Sequence, residues 1–250
     1  MSGHSKWAQI KRQKGVNDAK KGQIFTKFGR EISVVAREGG GDPEANFRLR
    51  LAIQRARESN MPMENIERAI KRGVGGTEGV TLEEIVYEGY GPGGAAIMVE
   101  ALTDNRNRTV SEMRNAFTRG GGNMGESGCV AWIFESRAVL MVDAAGRDPD
   151  ELALLAIDVG AEDVKTDSNT VEVYSSPDHL EAVKGALEQR QVRVTSAETS
   201  MVAKTTMDLS EKEALQVLKL MDRLEELDDV QRVYTNIDFS EELLEKYAGG

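Results

Sequence analysis

The 250-residue chain has one cysteine, two histidines and five prolines, and only 5% of it is aromatic. The single Cys129 cannot form an internal disulfide, so a reducing, cytoplasmic setting is expected. His4 and His179 have no Cys or His neighbours at ligand spacing, which argues against zinc. No apolar run approaches the roughly 20 residues of a membrane-spanning helix. The start of the chain is charged and lacks the apolar stretch of a secretory signal. There is no GK[ST] triplet, which excludes a P-loop. Two glycine-rich runs, 89–94 and 120–128, each lead into an expected strand. A dinucleotide fingerprint must instead follow a strand and open a helix, so these glycines read as turn residues with positive φ. No acid–base pair, triad or metal cluster stands out. No enzyme, cofactor, metal or small-molecule substrate is therefore expected.

Charge is plentiful and unevenly placed. The formal net charge is −10, yet the first thirty residues hold eight Lys or Arg against one acid, Asp18. Those cations are Lys6, Lys11, Arg12, Lys14, Lys20, Lys21, Lys27 and Arg30. The segment carries +7, which leaves −17 on the other 220 residues. Such segregation suits a cationic end that grips a polyanion and an acidic body that stays clear of it. Trp7 adds a flat face on which a base could stack. The plainer alternative is a solvated basic arm. The asymmetry favours nucleic acid, and these eight cations with Trp7 are the candidate binding residues.

Asn17 and Asp18 can cap a helix from about Ala19 to Glu38, stopped by Gly39–Gly41. Its apolar stripe of Phe25, Phe28, Ile32, Val35 and Ala36 leaves Lys20, Lys27, Arg30 and Arg37 as a ridge facing solvent. Asp42-Pro43 reads as the start of the next helix. That helix buries Leu49, Ala52, Ile53 and Ala56 and exposes Arg48, Arg50, Arg55 and Arg57. Asn60-Met61-Pro62 breaks it, and a third helix runs to Gly73. A strand is expected from Ala95 to Leu102, then a helix capped by Thr109 and Glu112 and ending near Phe117, then a strand from Cys129 to Phe134. The order βαββαβ follows across 137–202, the ferredoxin-like arrangement. Ser210 and Glu213 form a capping box for a helix that buries Val217, Leu220, Met221 and Leu224. The strand after it is expected to complete the sheet begun before residue 135.

The fold class is thus α+β and multidomain: a helical N-terminal domain followed by two α/β domains, one ferredoxin-like and inserted in the other. The expected boundaries are 1–79, then 80–134 with 206–239, an insert at 135–205, and a frayed helical tail at 240–250. Asn105, Arg106, Asn107 and Arg108 crowd a strand-to-helix junction and form a second candidate contact, against the simpler reading of local capping and ion pairs. The spacing there does not fit an EF-hand, which needs Gly where Thr109 stands. Glu225, Glu226, Asp228 and Asp229 read as a solvated helix end, or as a site for a cation or basic partner. Cys129 reads as a buried strand thiol.

Several long motifs carry a resemblance. GHSKW at 3–7, NMPMENIERAIKRG at 60–73, YEGYGPGG at 87–94, LTDNRNRT at 102–109 and GGNMGESGCVAW at 121–132 resemble the YebC/PmpR family. That family is related to the mitochondrial translational activator of cytochrome c oxidase. The resemblance implies three domains, one inserted in another, and a probable DNA-binding transcriptional regulator. Other members look like ribosome-associated translation factors that relieve stalls on proline-rich stretches. Either way GHSKW and the cations after it would meet nucleic acid, DNA or ribosomal RNA. Phe47 stands where the family commonly has proline, and Cys129 where it has serine. From the residues alone, a protein-interaction scaffold stays open as a third reading. The oligomeric state is not legible.

Overall fold

A computed structural model describes residues 18–75, 82–167 and 169–249; the side chains of 18–20, 241, 248 and 249 lie outside that description. Three helices come first: α1 (Asp18–Gly39), α2 (Phe47–Glu58) and α3 (Met63–Val74). Ile32, Val35 and Ala36 of α1 meet Leu49, Ala52, Ile53 and Ala56 of α2 and Ile66 and Ala69 of α3 in one core. Helices α1 and α3 cross so closely that a Cβ on Gly73 would stand 2.3 Å from the Ser33 carbonyl oxygen. Helix α2 does not begin at Asp42-Pro43, because residues 43–45 form a turn. Asn46 is its cap: the side chain accepts from the Leu49 amide at 3.1 Å and donates to the carbonyls of Val35 and Gly40 at 3.0 and 2.9 Å. A carboxylate such as Asp42 has no N–H for those two carbonyls, so the carboxamide can tie the helix start to the end of α1.

The first sheet has the order β3-β1-β2-β8, every neighbour antiparallel. Its strands are β1 (Glu83–Tyr90), β2 (Ala96–Thr103), β3 (Asn123–Met124) and β8 (Val230–Thr235). Strand β8 returns after the insert to complete the sheet, as expected. Strand β1 was not foreseen; three glutamates obscure an alternation that turns Ile85 and Tyr87 toward the helices. Gly93 (φ 68°) and Gly94 (φ 81°) make the β1–β2 turn, a backbone region glycine enters without strain. Helix α4 (Arg106–Arg119) is capped by Asn105 and not by Thr109, whose side chain is buried. The expected strand from Cys129 is a turn and a short 3₁₀ segment (Ala131–Ile133), and the strand starts at Phe134.

Strands β4 (Phe134–Asp143), β5 (Asp163–Thr166), β6 (Thr170–Ser175) and β7 (Arg193–Ala203) form the second sheet, order β5-β6-β4-β7, all antiparallel. Helices α5 (Pro149–Asp158) and α6 (Leu180–Gln189) cover one face with Leu152, Ala156, Val183 and Leu187. This is the ferredoxin-like insert. Helix α7 (Glu211–Glu225) carries the expected Ser210–Glu213 capping box and packs on the first sheet. Helix α8 (Glu241–Gly249) is no frayed tail: Leu243 and Leu244 enter the first sheet's core, and the Tyr247 hydroxyl donates to Asp222 at 2.6 Å.

Candidate nucleic-acid interface

Of the cations singled out from the sequence, Lys6, Lys11, Arg12 and Lys14, with Trp7, lie outside the described residues, as does the side chain of Lys20. Lys21 is exposed near the start of α1. Lys27 and Arg30 do not form a ridge facing solvent. Both are half-buried against the C-terminal end of α7. Lys27 donates to the Glu225 carbonyl at 2.5 Å, and Arg30 donates to the Asp228 carbonyl and to Asp229 Oδ1, each at 2.7 Å. Gln23 on the same face donates to Asp228 Oδ1 at 2.9 Å and to the Glu226 carbonyl. Cations and donors gather there because the last turn of a helix leaves its carbonyls unpaired and carries partial negative charge. The acidic patch at 225–229 is therefore not simply a solvated helix end; part of it receives this chain's own first helix.

Asp229 is the centre of that contact, its side chain 1% exposed. Its oxygens accept from Arg30, from Arg108 at 2.8 Å, and from the hydroxyls of Thr103 and Thr109 at 3.1 and 2.7 Å. Burial by itself would raise the carboxyl pKa. The hydrogen bonds from Arg108, Thr109 and Thr103, helped by the Arg30 charge, outweigh it and hold Asp229 below the usual carboxylate range. Arg108 also pairs with Asp104 at 2.7 Å. Two residues of the second candidate contact have partners within the chain while staying exposed: Asn105 caps α4 and Arg108 anchors Asp229. Arg106 and Asn107 remain exposed, Arg106 with Glu83 at 3.8 Å.

A further set of cations was passed over in the sequence because residues 31–79 balance in charge. Their acids are not evenly free. Glu38 pairs with Arg48, and Glu31 pairs with Arg55. Arg68, Lys71 and Arg72 on α3 are exposed and pair with no carboxylate among the described residues. They stand at i, i+3 and i+4, one stripe of the helix. That spacing, in RAIK-R, was the available signal.

Arg55, expected to be exposed, lies in a network that joins all three domains. Its guanidinium contacts Glu31 of α1 at 2.6 Å and Glu198 of β7 at 2.9 Å, and Arg232 of β8 approaches the same two carboxylates at 3.4 and 3.5 Å. A cavity of about 580 Å³ opens beside it, lined also by Phe47, Leu51 and Glu100. Burial raises the Glu100 carboxyl pKa, opposed by Arg232 and by the Tyr234 hydroxyl that donates to it at 3.1 Å. The network bridges α1, α2, β7 and β8.

Cys129 is half-buried in a turn, where burial raises its thiol pKa. His179 sits in a 3₁₀ turn with its Nδ1 3.1 Å from Ser176 Oγ. Among the described residues no group of three or more His, Cys, Asp and Glu is placed to hold a metal ion. No helix among them is long and apolar enough to cross a membrane.

Two family profiles match the chain: the TACO1/YebC N-terminal domain over residues 5–76, and the TACO1/YebC second and third domain over residues 82–237. A protein of Dehalococcoides mccartyi (strain CBDB1) named "Probable transcriptional regulatory protein" is 57% identical over 247 residues, covering 99% of this chain and 98% of that protein. A Chloroflexus aurantiacus protein with the same description is 55% identical over 250 residues, covering 99% of each. The crystal structure of a conserved hypothetical protein from Aquifex aeolicus superposes with a TM-score of 0.81 at 48% identity, covering 90% of this chain and 93% of that one.

Proposed function

The chain belongs to the TACO1/YebC family, and from that premise we propose that it is a non-enzymatic, cytoplasmic nucleic-acid-binding regulator, a transcriptional regulatory protein that contacts DNA. The observation that carries this is the separation of charge, +7 on the first thirty residues against −17 on the rest. The exposed stripe of Arg68, Lys71 and Arg72 adds three cations on α3. Lys6, Trp7, Lys11, Arg12, Lys14, Lys20 and Lys21 are the binding residues of this reading. Lys27 and Arg30 hold the first helix against the acidic end of α7. Arg106 and Asn107 are a second contact.

Binding of this kind neutralises phosphates and releases counterions, so affinity falls steeply with salt. Replacing Lys11, Arg12, Lys14, Lys20 and Lys21 with glutamine tests it. The log–log salt slope on duplex DNA is expected to drop by up to about 0.9 for each phosphate contact removed, together with regulatory activity. Unchanged affinity and activity would mean that the arm only solubilises a protein-interaction scaffold. Crosslinking in cells, with sequencing of the bound nucleic acid, identifies the target. Recovery of ribosomal RNA in place of promoter DNA would move the reading to a translation factor.

A further inference from the structure

The loop between β3 and β4 is held more firmly than its exposure requires. The buried Glu88 carboxylate accepts the backbone amides of Gly128, Val130 and Ala131 at 2.7, 2.8 and 2.7 Å. Beneath the loop, Val130, Ile133 and Phe134 pack against Ala96, Met98 and Tyr234. The Lys204 amide donates to the Ile133 carbonyl at 2.8 Å, and its ammonium donates to the Trp132 carbonyl at 3.0 Å. On this fixed loop Trp132 is 67% exposed, and Tyr90 beside it is 39% exposed. The Tyr90 hydroxyl and the Trp132 indole N–H donate to one oxygen, the Cys129 carbonyl, at 2.9 and 3.1 Å. The polar ends of both rings are thereby consumed, and what faces solvent is apolar ring surface. The Lys204 ammonium pairs with no carboxylate among the described residues and has further N–H groups to offer.

We propose that Trp132 and Tyr90 form a stacking platform for an unpaired base of single-stranded nucleic acid, with Lys204 taking the adjoining phosphate. This rests on the nucleic-acid reading above and adds where, and to which form, the strand binds. A large exposed aromatic on a rigid support is costly to leave in water and is pre-ordered for contact. Every base has a flat face for it, and stacking of this kind is sequence-tolerant. Bases within a duplex have both faces covered and cannot use it. A proline-rich peptide fits less well, because an aromatic groove also has to offer donors to the peptide carbonyls. Here the N–H and O–H are already spent on Cys129.

The full chain labelled with 5-fluorotryptophan gives two fluorine resonances, since it has two tryptophans, and Trp132→Phe assigns them. Twelve-nucleotide oligoadenylate, a duplex of equal length and decaproline are added in turn, with binding followed by anisotropy of labelled oligonucleotide. Oligoadenylate is expected to shift the Trp132 resonance along the binding isotherm. Trp132→Ala is expected to weaken binding by about five- to a hundred-fold, and Lys204→Gln by less. If oligoadenylate binds and only the Trp7 resonance moves, the platform is overturned while the nucleic-acid reading stands. If the Trp132 resonance responds equally to duplex, or to decaproline alone, the platform is also overturned. If neither oligoadenylate nor duplex binds, the nucleic-acid reading falls, and the platform with it.

Discussion

Asp229 concentrates more interactions than any sequence pattern around it suggests. Two guanidinium groups and two threonine hydroxyls converge on one buried carboxylate. Removing the charge leaves Arg30 and Arg108 facing each other across a neutral amide. Asp229→Asn is expected to cost about 2 kcal/mol, less than a fully buried pair because Arg108 keeps partial access to water. The check is the urea midpoint at pH 7. The pH dependence has a definite sign. A folded-state pKa below the unfolded value of about 3.9 stabilises the fold above that value. The contribution begins to decline as pH drops below about 4 and is lost only below the folded pKa, where wild type and variant should meet. Glu88 follows the same logic: burial would raise its pKa, but three backbone amides hold it low. Glu88→Gln is expected to cost about 2 kcal/mol and to speed hydrogen exchange at the amides of Gly128, Val130 and Ala131.

At the scale of elements, two contacts decide how helices start and cross. Ser210→Ala removes half of the α7 capping box and should cost about 1 kcal/mol, read as a lowered melting temperature. Gly73→Ala is expected to do more, about 2 kcal/mol, because its Cβ would meet the Ser33 carbonyl and push α1 from α3. A circular-dichroism melt checks both. The elements with clean periodicity were legible: the stripe on α1, the capping box of α7, and the alternation of strand and helix across the insert. Those that failed did so for local reasons. Strand β1 is paired on both sides, and on the face opposite Ile85 and Tyr87 its Glu88 is buried, ending in backbone amides rather than water. Cys129–Ile133 is an apolar run that reads as a strand, but the amides of Val130 and Ala131 turn to that same carboxylate. Thr109 looks like a cap, yet its hydroxyl is claimed by Asp229, and Asn105 caps the helix four residues earlier.

At the scale of the whole molecule, Glu31, Arg55, Glu198 and Arg232 tie α1, α2, β7 and β8 to one another. Neutralising Glu31 and Glu198 together as glutamine removes the two carboxylates that Arg55 and Arg232 share at the three-domain junction, leaving Glu100 near Arg232. The radius of gyration from small-angle X-ray scattering is expected to rise as the junction opens, while the domains stay folded by circular dichroism. An unchanged radius would show that the apolar contacts of Phe47 and Leu51 with the insert suffice to hold it. The sequence by itself determined the uneven charge, the α+β class and most helices, because these depend on composition and on spacing within a few residues. Only the tertiary structure decided which cations stay in water. Lys27 and Arg30 end against a helix terminus some two hundred residues further along the chain, whereas Arg68, Lys71 and Arg72 remain exposed. That choice depends on long-range packing and on the desolvation of each partner, and neither can be read from neighbours in sequence.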